Sequence, residues 1–355
     1  MGLTLIHAAD LHLDSPFASF PEEQREILRS AQASIPQRLE GCCREQGAQM
    51  LLLAGDVFDD PYRWETAREL SDCLEDCGIP VFISPGNHDF LGPDSPWDRE
   101  FWPDNVHIFR GNLSYVDLPE LDCRVYGGGY SSMDCRGLLE GFQAERVYAH
   151  TIALLHGDTT SPKSPYCPIT TVQIGQSHLD YLALGHIHQA GSLHAGQTLC
   201  AWPGCPMGRG WDETGAKGVL RVNLDARARV SPIPLGLPRF YSESVSLEEG
   251  LSGLERLLPA MKSQDFYRIT LTGSGEADIP ALQKKYGSLA HVEFRNRMRP
   301  RTSLWETAGQ DSFQGMFFDL LKQALDQASP QDGERIRLAA EISRRLLDGE
   351  EVALP

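Results

Sequence analysis

The sequence predicts an α/β fold, and three observations support this prediction. Short apolar runs recur along the first half of the 355 residues, helical patterns lie between them, and each run is followed by Gly, Asp, Asn or His. Uninterrupted apolar runs are typical of strands in a sheet that is covered on both faces. Polar residues at the C-terminal ends of such strands occupy the usual position of an α/β active site.

The elements can be assigned in chain order from these patterns. Buried strands are predicted over residues 3–9, 49–54, 80–84, 151–155 and 181–184. A helical pattern covers about residues 22–46, and a second covers about 63–77 and is closed by Gly78. Strands therefore alternate with helices, as in a sheet whose connections cross its faces.

The pattern changes after residue 188. Alternating segments at 198–202, 218–223 and 230–234 are predicted to be antiparallel strands that complete a second sheet. Prolines at 232, 234 and 238 indicate a linker, which divides the chain into domains 1–238 and 239–355. The second domain mixes strands at 267–272 and 291–295 with amphipathic helices at about 311–328 and 334–347.

Five short motifs carry residues that can bind metal ions. Asp10-Leu-His12, Gly55-Asp56, Gly86-Asn87-His88-Asp89, His156-Gly157 and Gly185-His186-Ile-His188 occur in this order. A site for two divalent ions needs about six to eight nitrogen and oxygen ligands, one of them bridging. The candidate ligands are Asp10, His12, Asp56, Asn87, His156, His186 and His188.

Composition excludes several other classes of protein. The net charge of −17 argues against nucleic-acid binding by the whole surface, because duplex binding depends on neutralising phosphates. No apolar stretch reaches ~18 residues, so no membrane span is expected, and the N-terminus does not resemble a signal peptide. The nine cysteines form no Cys-x-x-Cys pair. Reduced thiols in a cytoplasmic protein are therefore expected.

Taken together, the five motifs resemble the calcineurin-like metallophosphoesterase superfamily over roughly residues 1–235. This resemblance implies a four-layer α/β/β/α sandwich with a smaller C-terminal α+β capping domain. The segments Ala9–Phe17, Asp180–His188 and Gly208–Gly218 are further similar to the SbcD/YhaO-type DNA repair exonucleases. That group hydrolyses phosphodiester bonds, so the resemblance implies a DNA exonuclease of 3′–5′ polarity that acts in DNA repair.

The resemblance also implies a role for each motif residue. Asp10, His12 and His188 would hold one ion, Asn87, His156 and His186 the other, and Asp56 would bridge them. Two ions, with Mn²⁺ expected, would activate a water for in-line attack on phosphorus. His88 would protonate the leaving oxygen or stabilise negative charge on the phosphoryl group. Asp89 would orient His88 or a neighbouring loop, or would only cap a turn.

Asp14 and Asp59 are left open by the sequence. Where archaeal and eukaryotic relatives of the bacterial nuclease have a histidine that assists exonuclease action, this chain has Asp59. Asp59 could contact substrate or cap a helix N-terminus, and the cap is favoured.

DNA binding would require local positive charge. Arg209 and Lys217 follow the last ligand motif, and Arg295, Arg297, Arg299 and Arg301 alternate along a segment that, if extended, points all four side chains to one side. Such a row could follow phosphates, or it could be a solvated face that pairs with carboxylates.

Partner binding is also implied by the resemblance. Relatives work with an SbcC-like coiled-coil ATPase that docks on C-terminal helices, and they form homodimers through early helices. The apolar faces of the two C-terminal helices could serve the ATPase, although packing within the capping domain is favoured.

Three alternatives to the exonuclease remain. A small-molecule phosphodiesterase, for example of cyclic nucleotides, would share the dinuclear site but would need no extended phosphate track. A phosphoprotein phosphatase would usually carry Gly-Asn-His-Glu, whereas this chain carries Gly-Asn-His-Asp. A scaffold subunit that binds DNA ends would show binding without metal-dependent turnover.

Overall fold

The computed structural model describes residues 2–98, 101–247, 250–257, 260–273, 275, 277–287, 291–298 and 304–347. The chain divides into two compact units. One comprises Met1–Glu243, Ala260–Ile269 and Gln283–Glu293, and the other comprises Ser244–Pro259, Thr270–Leu282 and Phe294–Pro355. The single boundary after residue 238 stays a prediction.

The strands and helices are numbered separately in chain order. The strands are β1 (Leu3–Ala8), β2 (Leu51–Leu53), β3 (Val81–Ile83), β4 (Val106–Ile108), β5 (Ser114–Leu118), β6 (Cys123–Gly127), β7 (His150–His156), β8 (Tyr181–Gly185), β9 (Gly191–Ala195), β10 (Thr198–Trp202), β11 (Val219–Leu224), β12 (Ala228–Ile233), β13 (Phe240–Ser246), β14 (Phe266–Thr272) and β15 (His291–Asn296). The helices are α1 (Glu22–Ala33), α2 (Ile35–Gln46), α3 (Trp64–Asp76), α4 (Thr171–Gln176), α5 (Ser252–Leu257), α6 (Ile279–Tyr286), α7 (Phe313–Asp326) and α8 (Pro330–Leu347).

Two six-stranded sheets form the first unit. The first sheet has the order β12-β11-β1-β2-β3-β4, in which β1 to β4 are parallel and β11 pairs antiparallel with β1. The second has the order β5-β6-β7-β8-β10-β9, in which β6, β7, β8 and β10 are parallel. Three further strands pair in the order β13-β14-β15.

The alternation of side chains along each strand explains the layers. Leu5 and Leu52 face a core that also contains Ile152 and Leu154 of the second sheet, so the two sheets pack face to face. Their neighbours Ile6 and Leu51 face the opposite side, where they pack with buried residues of α1, α2 and α3. Successive strand side chains point to opposite faces, which requires helices outside each sheet. The predicted α/β/β/α sandwich is confirmed, and an additional C-terminal region is present.

Two details of the prediction were wrong. The helix expected over 22–46 is two helices that meet at Ser34, because Pro36 stands in the first turn of α2 and cannot donate an intrahelical hydrogen bond. The segments expected to complete the second sheet divide between the sheets. β10 joins β8 in parallel, whereas β11 and β12 extend the first sheet beside β1. Pairing between distant strands follows from packing and is not visible in local sequence.

Candidate metal centre

The predicted ligands converge because both sheets present the C-terminal ends of their parallel strands at one place. Asp10 and His12 follow β1, Asp56 follows β2 and Asn87 follows β3. From the second sheet, His156 ends β7 and pairs with Gly185 at the end of β8. His186 and His188 come directly after that strand. Each sheet therefore contributes part of the ligand set.

Four of the predicted ligands have an unusual backbone conformation. Asp10, His12, Asp56 and His186 have φ angles of 53°, 45°, 48° and 89°. Non-glycine residues rarely adopt positive φ because the Cβ atom crowds the following carbonyl group. Strain of this kind persists only where the surrounding structure holds it, and it is concentrated at functional sites.

Two glycines of the motifs allow the strand ends to approach one another. A Cβ atom on Gly86 would collide with the carboxylate and backbone nitrogen of Asp56. A Cβ atom on Gly185 would collide with the carbonyl oxygen of Ala54. Glycine is therefore required at both positions by close backbone approach.

The first set of ligands, here called the His156 group, consists of Asn87, His156 and His186. The two histidine rings lie on either side of the amide oxygen of Asn87. Asn87 Oδ1 lies 3.0 Å from His156 Nε2 and 3.2 Å from His186 Nδ1. Asp56 Oδ2 lies 3.4 Å from the same His156 Nε2. Because His156 Nδ1 donates to the Ala54 carbonyl at 2.9 Å, a neutral ring turns its Nε2 lone pair towards both oxygens.

Asp10, His12 and His188, here called the His188 group, meet on the other side of Asp56. His12 Nε2 lies 3.3 Å from His188 Nε2 and 3.8 Å from Asp56 Oδ2. Asp10 Oδ1 lies 3.9 Å from His188 Nε2. Asp56 Oδ2 therefore lies near one histidine of each group, as a bridging carboxylate would.

This donor set fits divalent ions. Lone pairs on nitrogen and oxygen face one another over 3–4 Å, which is repulsive unless a cation or a proton lies between them. Burial opposes protonation of His156, but Asp56 and Asp10 raise its pKa to about 9, so the surroundings strongly favour positive charge at this point. Among the described residues, every group of three acidic, His or Cys ligands suited to a metal ion lies in this centre.

His88 is held by Asp59 at the edge of the centre. His88 Nδ1 lies 3.0 Å from Asp59 Oδ1, and this contact raises the pKa of His88 above its ordinary value. The His88 side chain is 41% exposed, whereas that of Asp56 is 2% exposed. His88 is therefore accessible to a substrate while its backbone N–H donates to Asp56 at 2.9 Å. The helix-cap interpretation of Asp59 was wrong, since Arg63 precedes α3.

Of the roles predicted for Asp89, its contacts match the orientation of a neighbouring loop. Its carboxylate accepts from the backbone N–H groups of Gly86 and Val57 at 2.7 Å each and from Phe58 at 3.2 Å. These bonds join the loops after β2 and β3, so Asp89 orients a loop and not the His88 ring. Burial raises the pKa of Asp89 to about 7. Asp14 is likewise bound to protein groups and accepts from Arg63 and Thr66.

Glu213 is a site residue that sequence reasoning missed. Its Oε1 accepts from His188 Nδ1 at 2.6 Å, which fixes the tautomer that leaves Nε2 free to bind an ion. Arg209 donates to Glu213 Oε1 at 3.2 Å and lies 3.5 Å from Asp59 Oδ2. Lys217 Nζ donates to the His188 carbonyl at 2.8 Å. Arg209 and Lys217, two of the six residues predicted to contact DNA, thus contact residues of the centre, and Glu213 could have been suspected from its place between them.

The predicted arginine row is only partly described. Arg295 lies on β15 and Arg297 directly follows it, and both are exposed. The backbone N–H of Arg297 donates to the Leu271 carbonyl at 2.9 Å, so the chain stays extended there. Arg299 and Arg301 lie outside the described residues.

Comparison with known proteins agrees with this geometry. The family profile for calcineurin-like phosphoesterases matches residues 3–190, the stretch that contains all seven predicted ligands. The chain belongs to the calcineurin-like phosphoesterase family. Members of this family are metallophosphoesterases, and the family uses a dinuclear metal centre.

Individual relatives can also be compared. The uncharacterized metallophosphoesterase YhaO of Bacillus subtilis (strain 168) is 37% identical over 241 residues, which are 62% of this chain and 57% of that protein. The chain thus aligns with little more than half the length of this relative. TT1561 of Thermus thermophilus is 13% identical, with a TM-score of 0.41 over 65% of this chain and 99% of its own. A dimetal phosphatase from Danio rerio is 11% identical, with a TM-score of 0.42 over 66% of this chain and 96% of its own.

Within the described ranges, no helix combines the length and the apolar character that a transmembrane segment needs.

Proposed function

We propose that the protein is a divalent-metal-dependent DNA exonuclease of the SbcD/YhaO type, which cleaves phosphodiester bonds in the 3′–5′ direction during DNA repair. A phosphodiester of DNA must release a sugar alkoxide, a poor leaving group that needs a proton. The observation that carries the proposal is the exposed His88 held by Asp59 beside the ligand groups. This pair can supply that proton, while the neighbouring ligands hold the phosphate-binding ions.

The metal ions would be held by the two ligand groups with Asp56 between them. Bound divalent ions supply Lewis acidity and an activated water. Mixed imidazole, carboxylate and amide donors suit several first-row ions, and we propose Mn²⁺. The protein's own part is to fix the ligands through strained backbone and to exclude other conformations of Asp56 and His156, both of which are buried.

The remaining parts of the chain would serve DNA and a partner. We propose residues 239–355 as a capping domain, with Arg295 and Arg297 near the end of β15 as phosphate contacts. Helix α7 buries Gly315 and Phe318, whereas the apolar face predicted from its sequence leaves Phe313, Met316 and Leu320 exposed. That exposed stripe is suited to docking an SbcC-like coiled-coil ATPase. We also propose that the protein forms a homodimer and that it is located in the cytoplasm.

A second candidate is a small-molecule phosphodiesterase with the same dinuclear site. The net charge of −17 favours it, as do the internal contacts of Arg209 and Lys217, which use two of the basic groups nearest the centre. A cyclic nucleotide or similar diester would need no extended basic track.

The proposal is tested with purified protein and a DNA duplex labelled separately at its 3′ and 5′ ends, in Mn²⁺ and in EDTA. We expect mononucleotides from the 3′ end in Mn²⁺ and none in EDTA. His88→Ala should lower the rate at least about 10²-fold, since general acid catalysis contributes this much. His194→Ala, a substitution of an exposed histidine on β9, is the matched control and should retain the activity.

Each outcome separates the candidates. If His88→Ala retained the metal-dependent cleavage, the proposed role of His88 in proton transfer would be wrong. No cleavage of DNA, with rapid hydrolysis of a cyclic nucleotide, would replace the exonuclease by the second candidate.

A further inference from the structure

A cavity of about 280 Å³ opens beside His88. It lies between residues 60–62, which follow β2, and residues 88–96, which follow β3, and His88 forms one of its walls. Small-molecule sites usually begin near this size, at roughly 300 Å³. The cavity can therefore hold one planar ring system next to the residue that protonates the leaving oxygen.

The walls of the cavity are aromatic and acidic. Its lining includes the aromatic residues Tyr62 and Phe90 and the acidic residues Asp60 and Asp94. The lining residues, all within the described stretch 2–98, include neither Lys nor Arg. A phosphate would be repelled here, whereas a neutral heterocycle could stack on a ring and donate its amino N–H groups to a carboxylate.

Contacts between the two loops, and within the loop after β3, support the cavity. The Tyr62 hydroxyl donates to the Asp94 carbonyl, and the Trp97 indole N–H donates to the Asp89 carbonyl. Trp97 is fully buried against Phe58 at a ring separation of 5.4 Å. Phe90, by contrast, is 36% exposed although it is a large apolar side chain. The exposed ring of Phe90 therefore lies next to a well-packed part of the loop and is suited to stacking.

The position of the cavity determines which part of a substrate it can reach. The phosphate must lie at the ligand groups, and the leaving oxygen must lie at His88. The nucleoside that carries this oxygen is therefore the part of the substrate next to the cavity.

We propose that this cavity binds the base of the leaving nucleoside, stacked on Phe90 and flanked by Tyr62. The inference rests on the proposed DNA exonuclease activity and specifies how its substrate is recognised. Because every base has a π face, such a subsite accepts all four bases. It favours nucleoside diesters over phosphate esters that lack a base on the leaving side.

The test uses single-stranded oligodeoxynucleotides in Mn²⁺, with one abasic residue placed either at the leaving nucleoside or two positions away. The wild-type protein should cleave about tenfold more slowly when the leaving nucleoside lacks its base, and at the normal rate in the other oligonucleotide. Phe90→Ala should cleave the intact DNA about tenfold more slowly than the wild type. Its rate on the abasic linkage should equal that of the wild type, which also shows that the centre is intact.

Two further variants complete the design. Phe90→Trp should preserve the difference between intact and abasic linkages, and Tyr115→Ala, which removes an exposed aromatic ring on β5, should behave as the wild type. Equal wild-type rates on intact and abasic linkages would overturn the subsite and leave the exonuclease standing. A difference that persists in Phe90→Ala would also overturn it. Absence of any metal-dependent cleavage of DNA by the wild type would overturn both proposals.

Discussion

The two halves of the candidate metal centre are held in place by different kinds of contact. In the His156 group, the ring of His156 is fixed by the Ala54 carbonyl, and Asp56, which both groups share, is fixed by the backbone N–H of His88. In the His188 group, the ring of His188 is fixed by the carboxylate of Glu213, which in turn binds Arg209. The ring of His156 is therefore positioned by the backbone fold, whereas the ring of His188 depends on charged side chains that a substitution can remove.

The largest effect is expected where the two halves meet. Asp56→Asn preserves the shape of the side chain but removes the negative charge shared by both groups. We expect kcat/KM to fall about 10³-fold or more, because the carboxylate supports both ions. The measurement is phosphodiester hydrolysis together with a calorimetric titration of Mn²⁺.

Asp98→Asn, a change at an exposed surface carboxylate, is the control for this substitution and should have no effect. A loss of less than tenfold in Asp56→Asn would show that Asp56 does not join the halves.

The next effect concerns proton donation to the leaving group. Asp59→Asn weakens the support of His88, so cleavage of DNA should fall about 10²-fold. A 4-nitrophenyl ester releases a stable anion without a proton, and its hydrolysis should fall less than about fivefold. Equal losses on both substrates would mean that Asp59 supports the metal ions and not the proton donor.

A smaller effect should distinguish the halves directly. Glu213→Ala removes the carboxylate behind His188, and loss of such an outer contact typically weakens metal affinity about 10- to 100-fold. We expect the affinity for one of the two Mn²⁺ ions to fall and the affinity for the other to stay unchanged. Glu213→Gln, which can still accept from His188 Nδ1, should lie between Glu213→Ala and the wild type. Equal weakening of both ions would show that the halves are not independent.

The last effect is on stability, and it arises from a buried histidine between the two sheets, behind the metal centre. His7 is fully buried, its Nδ1 lies 2.8 Å from the Tyr181 hydroxyl, and burial lowers its pKa from 6.5 to about 3. Between these values the unfolded chain holds one proton more than the folded chain. The free energy of unfolding should therefore fall by up to ~1.4 kcal/mol for each unit that the pH drops below about 6.5.

Urea unfolding in EDTA at pH 7, 6 and 5 measures this slope. In His7→Phe, the dependence of the unfolding free energy on pH should be smaller by about the contribution of one proton, which is ~1.4 kcal/mol for each pH unit. Tyr181→Phe leaves His7 buried, so this variant should be less stable at every pH but should keep the slope. A His7→Phe slope identical to that of the wild type would contradict the assignment.

The contrast between the halves also explains how much the sequence could predict. The ligands themselves were visible because their motifs follow apolar runs and four of the five motifs contain a glycine. Gly86 and Gly185 are required by backbone approach alone. Contacts between side chains are not encoded in this way. Asp59 reaches His88 across 29 residues and Glu213 reaches His188 across 25, so neither partnership could be read from local spacing.

The fold shows the same limit. The five strands were predictable from their uninterrupted apolar runs, whereas the sandwich was implied by the resemblance to the calcineurin-like metallophosphoesterases. The break between α1 and α2 was present in the sequence as Pro36 but was outweighed by a continuous helical pattern. The pairing of β11 with β1 joins residues more than 200 positions apart, and only the complete packing of the two sheets determines it.

The division of the ligands between two sheets has a consequence for the abundance of the protein. Asp56 and Asn87 follow strands of one sheet, while His156 and His186 belong to the other, so a bound ion ties together layers that otherwise meet through apolar side chains. An ion that binds only the folded chain adds RT ln(1 + [ion]/Kd) to its stability. Free metal concentration would then govern how often the chain unfolds and is exposed to proteolysis. A cell starved of the metal would lose the protein itself and not only its activity.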